Sequence, residues 1–305
     1  MMTAPASRLA STPGPLRLTP ARVLTLVIGV PLVLALIGWI GFTTVALVGQ
    51  ASYPVSYVIP VTGDQLVAGV GGGNVTLRQG PGQTAHLTGT VQYDLIRPGV
   101  SESTGPNGTN LDVRCRISVG SCGLNATLEV PLQTAVTLSS GGGDMKVSGI
   151  NRVTLSSFGG NMEVSGTDDA TLISDGGDVA ISGPGGLTSV DTGGGNLTAS
   201  DLAGILKFST SGGDITGNDL AAPSVNIGSG GGNITLVFAQ PPANLDITSS
   251  GGDVTVLLPH GSTAYHLTTN AEGGGDSVSV PTNPQSHNTI SVDSAGGNIA
   301  IAEAS

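Results

Sequence analysis

Short runs in which every second residue is apolar recur along most of the chain. Val136/Leu138, Val153/Leu155, Ala170/Leu172, Leu206/Phe208, Val225/Ile227, Leu245/Ile247 and Ile290/Val292 are such pairs, and Val190 keeps the offset beside a weaker partner, Thr188. A second set interleaves with the first: Met145/Val147, Met162/Val164, Val179/Ile181, Ile234/Leu236, Val254/Val256 and Ile299/Ile301. Period-two alternation rich in β-branched residues predicts strands with one face in and one face out. Between the two sets stand two glycines followed by Asn or Asp. This signature occurs ten times, at Asn74, Asp144, Asn161, Asp178, Asn196, Asp214, Asn233, Asp253, Asp276 and Asn298. From Asp144 the steps are 17, 17, 18, 18, 19, 20, 23 and 22 residues. A period this regular predicts stacked coils, each built as strand, Gly-Gly corner, strand and return turn. Tyr265/Leu267 stands out of offset and predicts an insertion in its coil.

The expected fold is therefore all-β: a single-chain parallel β-helix (β-solenoid) over residues 136–305. Glycine suits a sharp corner because it takes φ > 0 without a Cβ clash. A phosphate-cradling loop would need Gly-Lys-Ser/Thr opening a helix, and the chain has no such run. The column Asp144, Asn161, Asp178, Asn196, Asp214, Asn233, Asp253, Asp276, Asn298 nearly alternates acid with amide. Equivalent positions in neighbouring coils lie about 4.8 Å apart. Like charges at that spacing repel, whereas an amide can bridge two carboxylates. The column is accordingly expected to be a structural ladder, with Asp253 to Asp276 as its one acid-acid step. Calcium is the competing reading, but calcium β-rolls repeat every nine residues and calcium prefers several carboxylates among six to eight oxygens. No metal and no cofactor is expected.

Charge and hydropathy divide the chain. Val23 to Val48 carries no charge. As a helix, its 26 residues would span about 39 Å, enough to cross a bilayer core of about 30 Å. Arg8, Arg17 and Arg22 precede it, and all 21 acids lie at or after Asp64. The expectation is a transmembrane signal-anchor helix over 23–48, a cytoplasmic tail over 1–22 and a C-terminal domain outside the cell membrane. From Phe208 to the end there are eight acids and no Lys or Arg. Such a surface disfavours nucleic acid and suits cations, basic proteins or cationic polymers.

Residues 49–135 also alternate and are expected to form a membrane-proximal β region. Cys115 and Cys122 are the two cysteines of the chain. In an extracytoplasmic setting they are expected to form a structural disulfide. No catalytic constellation stands out: His86, His260, His266 and His287 lie at no metal spacing, and no nucleophile elbow surrounds a serine. A polysaccharide-cleaving reading would need grouped basic residues, and the stack offers Lys146, Arg152 and Lys207. Lys146 and Arg152 are expected to pair with Asp144. Asn74, Asn107, Asn125, Asn196 and Asn233 open Asn-x-Thr triplets that match the glycosylation pattern; at Asn74, Asn196 and Asn233, which follow a glycine pair, the threonine is expected as an outward strand residue.

With these residues in view, the chain resembles the bacterial putative-adhesin family, related to toast-rack domains, of membrane-anchored β-repeat surface proteins. The resemblance rests on the Gly-Gly-Asn/Asp-apolar-x-apolar repeats, on Leu128-Glu129-Val130-Pro131 leading into Val136-Thr137-Leu138, and on Cys115/Cys122 just before. It covers roughly residues 55–305 and implies an exported β-helix with no catalytic residues. The function it implies is a non-enzymatic surface scaffold or interaction protein, whose partner is an envelope protein or a cell-surface polymer. The alternatives are an envelope sensor coupled to a cytoplasmic partner through the helix and, third, an enzyme acting on cell-wall polysaccharide.

Overall fold

The computed structural model describes residues 31–39, 51–93, 99–105, 108–114, 122–183 and 185–304. Two compact units divide the chain, Met1–Gln50 and Ala51–Ser305. In the first, residues 31–39 form helix α1. Nine residues of α-helix extend about 14 Å. Among the described residues no helix is long and apolar enough to cross a membrane. Of the transmembrane helix expected over 23–48, the described residues show α1 alone, which is too short to be a membrane span. The rest of that run, and the tail 1–22, lie outside the described residues.

Among the described residues of the second unit every regular element is a strand. The unit opens with β1 (Ala51–Pro60), β2 (Gln65–Val70), β3 (Val75–Gln79), β4 (Thr84–Tyr93), β5 (Gly99–Gly105), β6 (Gly108–Arg114) and β7 (Cys122–Val130). Strands then come two to a coil: β8 (Ala135–Ser140) and β9 (Met145–Ser148), β10 (Arg152–Ser157) and β11 (Met162–Ser165), β12 (Asp169–Ser174) and β13 (Val179–Ser182), β14 (Leu187–Thr192) and β15 (Leu197–Ser200). β16 (Ala203–Thr210) leads to β17 (Ile215–Ser229), which serves both faces. β18 (Ile234–Phe238), β19 (Asn244–Ser249), β20 (Val254–Leu258), β21 (His266–Ala271), β22 (Asp276–Ser279), β23 (Thr289–Ser294) and β24 (Ile299–Glu303) complete the stack.

Parallel pairing joins like strands of successive coils into two faces. On the first face Leu155, Leu172, Val190, Phe208, Ile227, Ile247 and Val292 align as register partners, and all are buried. On the second, Met145, Met162, Val179, Leu197, Ile215, Ile234, Val254 and Ile299 do the same. Aliphatic side chains of similar size therefore stack coil on coil in one continuous core. Each column gains from burial of about 25 cal/mol per Å² of apolar surface.

The stack does not follow chain order at either end. β23 and β24 lie between β19/β20 and β21/β22, so the last coil in sequence is intercalated and residues 266–279 form the outermost layer. At the other end β2 and β3 lie between β6/β7 and β8/β9. The turn near residue 135 therefore falls inside one stack, and buried residues of β2, β3, β4, β6 and β7 share its core. That N-terminal end is covered by antiparallel strands, β5 on β6 and β4 on β7 with β1 beyond.

The glycines serve two purposes. At the Gly-Gly corner the second glycine is required by close approach: a Cβ on Gly177 would overlap the carbonyl oxygen of Gly160 in the coil below. Positive φ, expected at this corner, is found there at Gly73 (φ 95°), Gly143 (φ 93°) and Gly252 (φ 79°), and it recurs at the return turn, where Gly166 (φ 62°) and Asp201 (φ 55°) occupy corresponding places. There the left-handed conformation favours Gly and tolerates Asp.

Candidate functional site

The Asn/Asp residues at the corners form a continuous hydrogen-bonded column. In each step the backbone N–H of one residue donates to the side-chain Oδ1 of its neighbour. Asn74 donates to Asn125 (2.9 Å), Asp144 to Asn74 (2.9 Å), Asn161 to Asp144 (3.0 Å), Asp178 to Asn161 (2.9 Å) and Asn196 to Asp178 (2.8 Å). Asp214 donates to Asn196 (3.0 Å), Asn233 to Asp214 (2.7 Å), Asp253 to Asn233 (2.9 Å) and Asn298 to Asp253 (2.8 Å). A reciprocal backbone bond closes each step, as where Met145 N–H donates to the Asn161 carbonyl at 2.8 Å. Either a carboxylate or an amide oxygen can accept at each position, so backbone geometry alone does not choose between them.

The observed order does. From Asn74 to Asn298 the column reads Asn, Asp, Asn, Asp, Asn, Asp, Asn, Asp, Asn without a break. The acid-acid step expected between Asp253 and Asp276 is absent, because Asn298 stands next to Asp253 and donates its amide to that carboxylate at 3.1 Å. Asp276 is not part of the column. β22 sits one residue out of register, pairing Asp276 with Ile299, so Gly275 takes the ladder place and donates to Asn298 Oδ1 at 3.0 Å. Asp276 instead accepts from the Thr269 hydroxyl at 2.8 Å. Asn125 belongs to the column although no glycine pair precedes it; its Asn-x-Thr triplet, shared with Asn74, Asn196 and Asn233, was the signal for it.

A second column went unnoticed in the sequence. Ser140, Ser157, Ser174, Thr192, Thr210, Ser229, Ser249 and Ser294 each stand four residues before a ladder residue and are buried. Their hydroxyls bond the corner backbone: Gly177 N–H donates to Ser174 Oγ at 3.0 Å, and that hydroxyl donates to the Gly177 carbonyl at 2.9 Å. A buried hydroxyl satisfied in this way stabilises the corner, whereas an orphaned one would cost about 1–3 kcal/mol.

The ladder residues themselves are exposed and floor a trough of about 630 Å³. Asn74, Asp144, Asn161, Asp178 and Asn196 run along it, with Thr76, Lys146, Glu163, Ala180 and Thr198 on its flank. The column bonds use one oxygen per side chain. The second oxygen of Asp144 and Asp178 and the NH₂ of Asn74, Asn161 and Asn196 remain for a ligand. A larger hollow, about 900 Å³, lies on the first face between β5 and β2, lined by Val100, Ser101, Asn110, Asp112 and Ser139.

The basic residues do not gather. Lys146 bonds Glu163 at 2.6 Å and Arg152 bonds Asp169 at 3.6 Å, in place of the pairing expected with Asp144. Each pair links adjacent coils across register partners. Arg78 bonds Glu129 at 2.5 Å. Among the described residues no group of His, Cys, Asp and Glu is placed to hold a metal ion. Cys122 opens β7 and is not a free thiol. Cys115 lies outside the described residues, so its pairing with Cys122 stays an expectation. At the far end Tyr265 is buried, and its hydroxyl has no hydrogen-bond partner among the described residues. Burial first, and the nearby Glu303 carboxylate second, raise its pKa above the ordinary 10.0.

Residues 117–302 match the family model Toastrack DUF4097. The chain belongs to this family. The Toastrack match leaves out β2 and β3, which nonetheless lie inside the same stack. Among solved structures, the chain is similar to a putative adhesin from Parabacteroides merdae, at 12% identity over 85% of this chain and 97% of that one, with a TM-score of 0.50. A putative adhesin from Parabacteroides distasonis aligns at 13% identity over 84% and 97%, TM-score 0.48. A putative lipid binding protein from the same species aligns at 11% identity over 85% and 98%, TM-score 0.41. At these identities the likeness concerns the fold. No curated protein matches the chain.

Proposed function

We propose that this Toastrack chain is a non-enzymatic contact protein of a bacterial surface, tethered by its N-terminal apolar segment, and that the ladder trough is its contact surface. The observation carrying the proposal is the trough itself: a regular, exposed row of amides and carboxylates on a rigid stack, with amide donors recurring every second coil. Like groups two coils apart are separated by about 9.6 Å. An extended, hydroxyl-rich envelope polymer offers donors and acceptors along its length and could meet such a row without any chemistry being performed. Ion-paired, dispersed Arg and Lys residues support the non-enzymatic reading, as does the adhesin naming of the structural neighbours. The tether is supported by α1, where Leu32, Val33, Leu34, Leu36, Ile37 and Trp39 are all exposed and would be buried by lipid.

Co-sedimentation with insoluble cell-wall polymer tests the contact surface. Wild-type protein should pellet with the polymer. Ala180→Lys, which hangs a long cation over the trough while leaving the ladder bonds and the core untouched, should remain in the supernatant. Equal pelleting of both would remove the trough from the function. Protease treatment of intact cells tests the tether, since residues 51–305 should be digested from outside while a cytoplasmic marker survives.

A further inference from the structure

The two ends of the stack are finished differently. At the N-terminal end β5 and β1 are the outer strands, and β1 carries Pro54 and Pro60, which cannot donate to a further strand. At the C-terminal end, among the described residues, β21 pairs with β23 alone and β22 with β24 alone. His266 N–H donates to the Asn288 carbonyl at 2.8 Å, so by strand alternation the main-chain groups of Leu267, Thr269 and Ala271 point away from β23. Ile299 N–H donates to Gly275 at 3.0 Å, so those of Asp276 and Val278 point away from β24. The chain begins to cover this edge and stops. Tyr265 N–H donates to Pro281 and its carbonyl accepts from Asn283, an isolated bridge one residue long. Neither β21 nor β22 contains Pro or Lys, which commonly blunt an edge.

The apolar layer beneath is also incomplete. Leu267, Ala271 and Val280 are only partly buried against the core, and Val278 is 39% exposed. Charge around the edge has one sign. Glu272, Asp276 and Asp293 lie on or beside the last two coils, and no Lys or Arg occurs after Lys207. A second copy stacked tail to tail would set these acids against themselves.

We propose that the edge formed by β21 and β22 is a docking site for an extended basic segment of a partner protein, which adds to the stack as a further strand. Main-chain bonds to the outward groups of Leu267, Thr269 and Ala271 hold it along β21, and past a bend at the corner those of Asp276 and Val278 hold it along β22. Its alternate apolar side chains complete the layer over Leu267 and Val278, and its basic side chains meet Glu272, Asp276 and Asp293. The site is distinct from the ladder trough and does not depend on the function proposed for it.

The test is fluorescence anisotropy with the full chain and a labelled twelve-residue peptide of alternating Lys and Val. Saturable binding is expected, weakening at least tenfold between low and high salt and lost at least tenfold when alternate peptide nitrogens are methylated. Methylation leaves the probe's charge intact and removes its donors, so it separates strand addition from simple charge attraction. An alternating Glu/Val peptide should not bind. Val278→Pro, at an outward main-chain N–H, should abolish binding without shifting the melting temperature, and an Ala180→Lys trough variant should bind as wild type does. Equal affinity for methylated and unmethylated peptide overturns the proposal, as does binding of the acidic peptide or no saturation at millimolar peptide. A concentration-dependent dimer of the chain that excludes the peptide would give the edge to a second copy and overturn it equally.

Discussion

At the level of single residues, the tightest constraint is the second glycine of each corner. Gly176 and Gly177 are neighbours of one type in one motif, yet their surroundings differ. A Cβ on Gly176 would meet its nearest atom, the Phe158 carbonyl oxygen, at 3.8 Å, an ordinary contact. A Cβ on Gly177 would overlap backbone of the coil below, which has no flexible atom to move aside. Gly177→Ala should therefore destabilise by about 1–3 kcal/mol or more, whereas Gly176→Ala should change little. Urea midpoints of the two variants check this, and equal midpoints would mean that coil spacing relaxes easily. Tyr265 gives a second residue-scale expectation. Its buried hydroxyl has no partner among the described residues, so Tyr265→Phe should be neutral or stabilising by up to about 1 kcal/mol. The raised pKa means that the folded state favours the neutral phenol. That stability is present below the ordinary value of 10.0 and is lost as pH rises above it, since the unfolded tyrosine ionises first. The melting-temperature advantage of the Phe variant should therefore widen above pH 10. A constant difference from pH 7 to 11 would show that Tyr265 ionises as freely in the fold as out of it.

At the level of the element, each coil is specified twice, by its apolar alternation and by its polar corner. Alternation was legible because strand period and burial coincide; Leu155, Leu172, Phe208, Ile227, Ile247 and Val292 share one inner column as their spacing implied. The hydroxyl column was written with equal regularity, four residues before each Asn or Asp, but Ser and Thr next to glycine also read as ordinary turn residues. Only burial separates the two meanings. The Asn/Asp ladder is open to a direct test, because Asn196→Asp keeps the acceptor for the Asp214 N–H and changes only charge. It would set carboxylates at 178, 196 and 214 in three successive coils about 4.8 Å apart. Repulsion between exposed charges at that distance is on the order of 1 kcal/mol per neighbour at low salt. The loss should shrink as salt is added. It should also shrink as pH falls. Flanking like charges raise the central carboxyl's folded-state pKa above its unfolded value, so protonation favours the folded variant. Asp178→Asn, which adds no charge, is the control and should cost little. If Asn196→Asp melts like wild type in low salt at neutral pH, alternation contributes nothing to stability.

At the level of the whole molecule, the sequence announces most of the coils and roughly where they turn, but neither the coil of Asn125, which no glycine pair marks, nor the order in which the coils stack. Nothing local states that residues 289–303 pass beneath 266–279. The hints were a longer repeat and the offset of Tyr265/Leu267, and both are equally compatible with an insertion loop. The reason for the exchange is energetic and lies in a comparison that no short window contains. β23 and β24 bring Ile290, Val292, Ile299 and Ile301, all at most 1% exposed, and they set Asn298 against Asp253. β21 and β22 bring Leu267, Thr269, Ala271 and Val278, with a slipped register and an exposed outer strand. Stacking in chain order would place the weaker layer inside and Asp276 close to Asp253. The observed order places the better-packed layer inside and leaves the poorer one as the end. Local stability should follow position in the stack rather than position in the chain, because a strand flanked on both sides opens only with its neighbours. Hydrogen exchange of the native chain should therefore show amides of 299–303 protected alongside those of 254–258, although they lie within a few residues of the C-terminus. Amides of 267–271 and 276–279 should exchange well before them. Faster exchange at 299–303 than at 266–279 would mean that the coils stack in chain order in solution. The uninterrupted Asn/Asp alternation would then lose its last step.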